Sequence, residues 1–134
     1  MQDIELAWET FEFHVASVIN TELELTSHID KLNKSFDEDD SSLTQEDLNK
    51  LQDQRFDIIN NIIECTDYAI NDYIKQNTSL DYIIEIHKNY SLHGVAIPVE
   101  REVPMQYLFE LKNQNATLLE ELKVQKEKFK TLLY

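Results

Sequence analysis

From Ile4 onward, apolar residues return at alternating steps of four and three: Ile4, Trp8, Phe11, Val15, Val18, Leu25, Ile29, Leu32 and Phe36, with Glu22 the one charged residue on the row. A 3.5-residue repeat held for more than four heptads predicts one long helix whose seam packs on another helix with left-handed crossing. Phe13, Ile19 and Leu23 widen the stripe and predict a second neighbour. The run Asp37-Glu38-Asp39-Asp40-Ser41-Ser42 then breaks the pattern with four like charges and two hydroxyls, as a solvated connection does.

A second helix starts with a capping signal. Thr44 with Asp47 three residues on is a capping box with Asp in place of Glu or Gln, and Leu43 and Leu48 stand at the positions of a hydrophobic staple. Two seams follow side by side: Leu48, Leu51, Arg55, Ile58, Ile62, Cys65 and Ala69 on one, and Phe56, Ile59, Ile63, Thr66, Ile70 and Tyr73 on the other. A helix with two seams touches two neighbours, so this helix is expected at the centre.

Gln76-Asn77 reads as its end, and Thr78 or Ser79 with Asp81 as the start of a short helix carrying Leu80, Ile83, Ile84, Ile86 and Tyr90. His87 and His93 fall near the end of that helix, and Gly94, the single glycine, sits where a left-handed cap would stop it. Pro98 and Pro104 push Ile97 and Val103 toward extended geometry, and Pro104 suits the first turn of a last helix. Leu108, Leu111, Asn115, Leu118, Leu122, Gln125, Phe129 and Leu132 carry that helix to the C-terminus, and Lys123, Lys126, Lys128 and Lys130 cluster where cations oppose the helix dipole. The expected fold is all-α: an antiparallel bundle of three long helices plus one short helix, with an extended loop at about 94–103, in a single domain spanning residues 1–134.

Composition agrees and narrows the class. With 42% hydrophobic residues there is material for a real core, while one Gly and two Pro leave little for strand-rich architecture. Cys65 is the only cysteine, which excludes an intrachain disulfide and suits a reducing compartment. The first residues lack the basic start and apolar run of an export signal, and no stretch is apolar enough to span a bilayer, so a cytoplasmic location is expected.

Charge points to a kind of partner. Residues 1–72 carry 18 acids against 4 bases, which is the whole of the −14 excess, because residues 73–134 carry 8 of each. Such a field repels nucleic acid and anionic membranes and attracts a basic protein. In size, charge and helicity the chain is similar to anti-defence inhibitors and DNA mimics, a resemblance of composition that no motif carries.

The candidate contact residues follow from this. Glu5, Glu9 and Glu12 form one acidic stripe, and Glu46, Asp53, Asp57 and Glu64 form another. Carboxylates three or four residues apart stand about 5–6 Å from one another. Such rows can stand in for phosphates on a basic protein, or be no more than a solvated helix face. Val95, Ile97 and Val99 offer an extended apolar edge to a partner, or drape over the bundle. The seams form the bundle's own core or a homodimer, the latter suggested by Asn115 and Gln125 as register-fixing polar residues. Glu22 and Arg55 either pair across the first two helices or lie at wet edges.

Catalytic signals are sparse. His14, His28, His87 and His93 are scattered with no Glu-x-x-His pair, and a single Gly excludes a phosphate loop. Glu9-x-x-Glu12 and Glu64-x-x-Asp67 could hold magnesium in a helical nucleotide hydrolase, but their separation is too long for that pattern. Residues 37–48 fail as a calcium loop, with Ser42 where Gly is needed and Leu48 where Glu is needed. Cys65 lies on a buried-type seam without an adjacent base. The expectation is a non-enzymatic protein without metal or cofactor: a stoichiometric inhibitor or adaptor of a basic, nucleic-acid-handling protein. The alternatives are a subunit or chaperone that takes a partner helix on its apolar seams, or, from another class, the metal-dependent hydrolase.

Overall fold

The computed structural model describes residues 3–37 and 43–133, so most of the acidic connection 37–42 lies outside the described residues. Three helices pack together: α1 (Ile4–Phe36), α2 (Gln45–Leu92) and α3 (Met105–Thr131). No strand occurs among the described residues. The starts are chemical. Asp3 accepts a hydrogen bond from the Leu6 N–H at 3.2 Å, and Thr44 Oγ1 accepts from the Asp47 N–H at 3.1 Å, so each side chain satisfies a donor that the helix cannot. α2 ends in a Schellman motif, with the Val95 N–H on the Tyr90 carbonyl at 2.9 Å and the Gly94 N–H on Ser91 at 3.2 Å. Gly94 supplies the positive φ of 66° that this closure requires.

The expected break at Gln76-Asn77 does not occur: α2 is continuous for 48 residues, and the supposed short helix is its C-terminal half. Neither Gln nor Asn stops a helix when its side chain has a tertiary partner. The Thr78 hydroxyl, read as a cap, instead donates back to the Ile74 carbonyl four residues earlier at 3.1 Å, a bond found inside helices. The expected loop also contains a 3-10 turn at Val99–Arg101. Ile97 and Val103, each preceding a proline, are non-helical as expected.

α2 is the central element, and both neighbours run antiparallel to it. On the α1 side, Ser17 donates to Asp72 at 2.7 Å, Tyr73 donates to Glu22 at 2.7 Å, and Arg55 donates to the Ser35 carbonyl at 2.7 Å. Glu22 and Arg55 therefore do not pair with each other. Burial and the Glu22 carboxylate push the Tyr73 phenol up from its usual range. On the α3 side, Asn115 meets Gln76 and Asn77, Lys112 pairs with Asp81, and Lys126 with Asp67.

Two apolar clusters flank a polar layer. One gathers Ile4, Trp8 and Phe11 with Leu80, Ile83, Ile86 and Leu108; the other gathers Leu25, Leu32, Ile59, Ile62 and Cys65, with Phe129 and Leu133 against it. Each fully buried aliphatic side chain contributes about 1.5–3 kcal/mol. Between them, the Asn115 amide donates to Gln76 Oε1 and Asn77 Oδ1, both at 3.1 Å, and the Gln76 amide donates to the His14 carbonyl at 3.3 Å. The layer ties all three helices at one level. A shift of α3 by one turn would bury these amides against hydrocarbon, at about 1–3 kcal/mol for each orphaned group, so the layer sets register. Asn115 thus acts within the chain rather than between chains. Phe13, Ile19 and Leu23, expected to reach a second neighbour, are exposed.

Two outcomes test this packing. Asn115→Ala should lower stability in urea denaturation by about 1–3 kcal/mol, and Gln76→Leu with Asn115→Leu should recover most of the loss by removing both partners. The second outcome concerns His87, whose Nε2 is buried without a hydrogen-bond partner among the described residues. Burial pushes its pKa below the ordinary 6.5, so the unfolded chain binds the proton first. Stability should be level above pH 6.5 and fall as pH drops from 6.5 toward the folded-state value. His87→Phe should flatten that limb of a thermal-denaturation series.

Candidate protein-binding surface

The acidic stripe of α1 is partly occupied from within the chain. Ile97 and Val103 pack against the apolar cluster at the start of α1, anchoring the segment between the prolines. The 3-10 turn, closed by the Arg101 N–H on the Pro98 carbonyl at 2.9 Å, then delivers Arg101 over α1. Its guanidinium donates to Glu5 at 2.9 and 2.5 Å and to Glu12 at 2.6 Å, and lies 5.8 Å from the Trp8 ring. Glu5 and Glu12 are two turns apart on one row, and the planar fork reaches both. The Arg101 hydrogen bond holds the Glu5 carboxyl below its usual range, and both carboxylates push the Arg101 pKa up. Glu9 stays exposed. Val95 and Val99 are exposed and Ile97 is half-buried, so of that apolar edge only the two valines are open to a partner.

The α2 stripe is different. Glu46, Asp53, Asp57 and Glu64 are all exposed. Glu46 lies 3.6 Å from Lys50 one turn on, while Asp53, Asp57 and Glu64 form no ion pair among the described residues. They stand on two adjacent rows. Glu46 and Asp53 share the seven-residue row of Asp67 and Asp81, which borders α3, and Asp57 and Glu64 stand on the next row outward. On the side facing α1, Glu24, His28, Asn61, Glu64 and Tyr68 surround a shallow cleft floored by Cys65. Burial, and then the Glu24 and Glu64 carboxylates, push the thiol pKa up, which keeps Cys65 a thiol and a poor nucleophile.

The carboxylate pairs considered for magnesium are not brought together. Glu12 is held by Arg101 and Asp67 by Lys126, and the antiparallel register leaves the two pairs roughly 20 Å apart along the bundle. Among the described residues no group of three His, Cys, Asp or Glu side chains converges on a metal-sized site. An open hollow runs along α3 alone, past Ala116, Glu120, Val124 and Lys128. Among the described residues no helix is long and apolar enough to cross a membrane.

Sequence reasoning missed Arg101 as the partner of the first stripe, because nothing local links residue 101 to residue 5. It also missed a signal in plain view. Asp67 and Asp81 are fourteen residues apart, as are Lys112 and Lys126, and antiparallel helices bring both pairs into register. Comparison with protein-family models, curated proteins and solved structures finds no match for this chain.

Removing the guanidinium should release the first stripe. In Arg101→Ala, an NMR titration should show the Glu5 carboxyl returning upward to its ordinary value near 4.5. The stabilisation from Glu5 in the wild type is present above that pH and lost as pH falls through the folded value, so the variant should be less sensitive in this acidic range.

Proposed function

We propose that the protein acts by stoichiometric binding, as an inhibitor or adaptor, with the α2 acidic surface as its contact for a basic protein. The observation that supports this reading is the contrast between the two stripes. Arg101 holds Glu5 and Glu12 of the first stripe, whereas in the second Glu46 has only Lys50 one turn on, and Asp53, Asp57 and Glu64 stay exposed without an ion-pair partner among the described residues. Fixed carboxylates on a helix are already aligned, so a cationic partner meets a row that needs no further ordering. A basic surface that ordinarily handles nucleic acid fits this field, which is the sharpest form of the proposal.

A second reading has its own observation. Phe36 and Phe56, at the α1–α2 end, are 53% and 51% exposed, which suits a subunit or chaperone that takes a partner helix on apolar surface. The readings separate by salt. Immobilised protein should capture its partner from a native extract, release it at raised ionic strength, and lose it to competing duplex DNA. Changing Glu46→Gln, Asp53→Asn, Asp57→Asn and Glu64→Gln together should weaken capture at least about tenfold with circular dichroism unchanged. Capture that survives all four changes and high salt removes the acidic surface as the contact.

A further inference from the structure

Arg101 sits on α1 in the manner of a ligand. Between Gly94 and Met105 only Ile97, Arg101 and Val103 are partly covered, and every other residue is exposed. Ile97 and Val103 pack on the apolar cluster, whereas the turn Val99–Arg101 that carries the guanidinium has no buried residue. The side chain of Arg101 is therefore free to leave α1 while both apolar anchors stay in place. Its partners Glu5 and Glu12 are about half exposed, and ion pairs in that setting add little to stability.

What lies under it is fitted to an arginine. Both Glu5 oxygens and one Glu12 oxygen accept from three different guanidinium nitrogens, and the guanidinium carbon lies over the Trp8 ring. A fork-shaped acceptor set beside an aromatic face is the combination that separates guanidinium from ammonium. Two features of the site go unused by Arg101. Glu9, a surface neighbour of both Glu5 and Glu12, is exposed and forms no ion pair among the described residues. Trp8 is only 7% exposed, yet its indole N–H has no acceptor among the described residues. A guanidinium has no acceptor to give it, because all its nitrogens donate. A peptide that carries its own arginine brings backbone carbonyls as well.

We propose that Glu5, Glu12 and Trp8 form a binding site for an arginine side chain of a basic partner protein, and that Arg101 is an internal ligand that masks it. A short tether holds Arg101 at an effective concentration of about millimolar, so one free arginine displaces it poorly. A segment with a second arginine, which meets Glu9, displaces it. The α1 stripe is then a second contact, opened only by paired arginines. The inference rests on the binding role proposed above and adds to it a site that selects arginine over lysine.

Trp8 is the chain's one tryptophan, so indole emission reports on this site. The test titrates the full chain with a short tryptophan-free peptide carrying two arginines, beside a copy with lysine in both places. The arginine peptide should change the emission saturably and bind Arg101→Gln about tenfold more tightly than wild type, with the lysine copy gaining less than about threefold. Arg101→Lys keeps the net charge and loses the fork, so it should still tighten arginine-peptide binding about threefold, and it carries the test if Arg101→Gln does not fold. Lys126→Gln, which removes a cation elsewhere, should stay within about twofold of wild type. Adding Glu5→Gln and Glu12→Gln to Arg101→Gln should cancel the gain. The proposal is overturned if Arg101→Gln and Lys126→Gln tighten binding equally, if Arg101→Lys leaves the affinity unchanged, or if the peptide binds without altering Trp8 emission. Extract capture that is lost with the four α2 acids, combined with no gain of peptide affinity in Arg101→Gln, keeps the binding role and overturns this site. Capture indifferent to the α2 acids removes that surface from the role, while the peptide titration still judges the Trp8 site.

Discussion

The whole architecture depends on α2 burying two seams at once. A helix with one apolar stripe needs one neighbour, whereas α2 holds Ile62, Cys65 and Ala69 in one row and Ile59, Thr66 and Tyr73 in the next, all buried. Neither α1 nor α3 alone can cover both. The two outer helices are thus bound to the centre rather than held chiefly by each other, and their lengths need not match. That freedom allows α2 to outrun α3 and leave part of its second seam uncovered.

Apolar seams of regular spacing are poor at choosing register, because a helix slid by one heptad finds similar contacts. The layer of Gln76, Asn77 and Asn115 removes that ambiguity, since its amides are satisfied in one alignment. Once α3 is placed by Asn115, the steps of fourteen put Lys112 on Asp81 and Lys126 on Asp67 without further specification. The exposed or half-exposed ion pairs are consequences of register and add little stability themselves. Their value lies in marking which face of α2 accepts a helix.

Periodicity carried the architecture because it reports burial directly. The seam of α1, the double seam of α2, the Thr44 cap and the Gly94 stop each depend on a few neighbouring residues, and each appears in the structure. What periodicity could not show was the continuity of α2 through residues 76–78. Polar residues on a seam look the same whether they end a helix or meet a partner from another helix, and only Asn115, 39 residues from Gln76, distinguishes the two. Glu5 and Glu12 failed to be readable for the same reason, since their partner Arg101 is 96 residues from Glu5 and 89 from Glu12.

That distinction bears on how the acidic half works. Carboxylates crowded on one half of a chain repel one another and weaken the fold unless something offsets the field. The chain's cations do so unevenly. Arg101, Lys112 and Lys126 all act where the C-terminal half crosses α1 or α2, so their neutralising effect stops where α3 stops. Toward the start of α2, Glu46 has Lys50 beside it at 3.6 Å, whereas Asp53 has no ion-pair partner among the described residues.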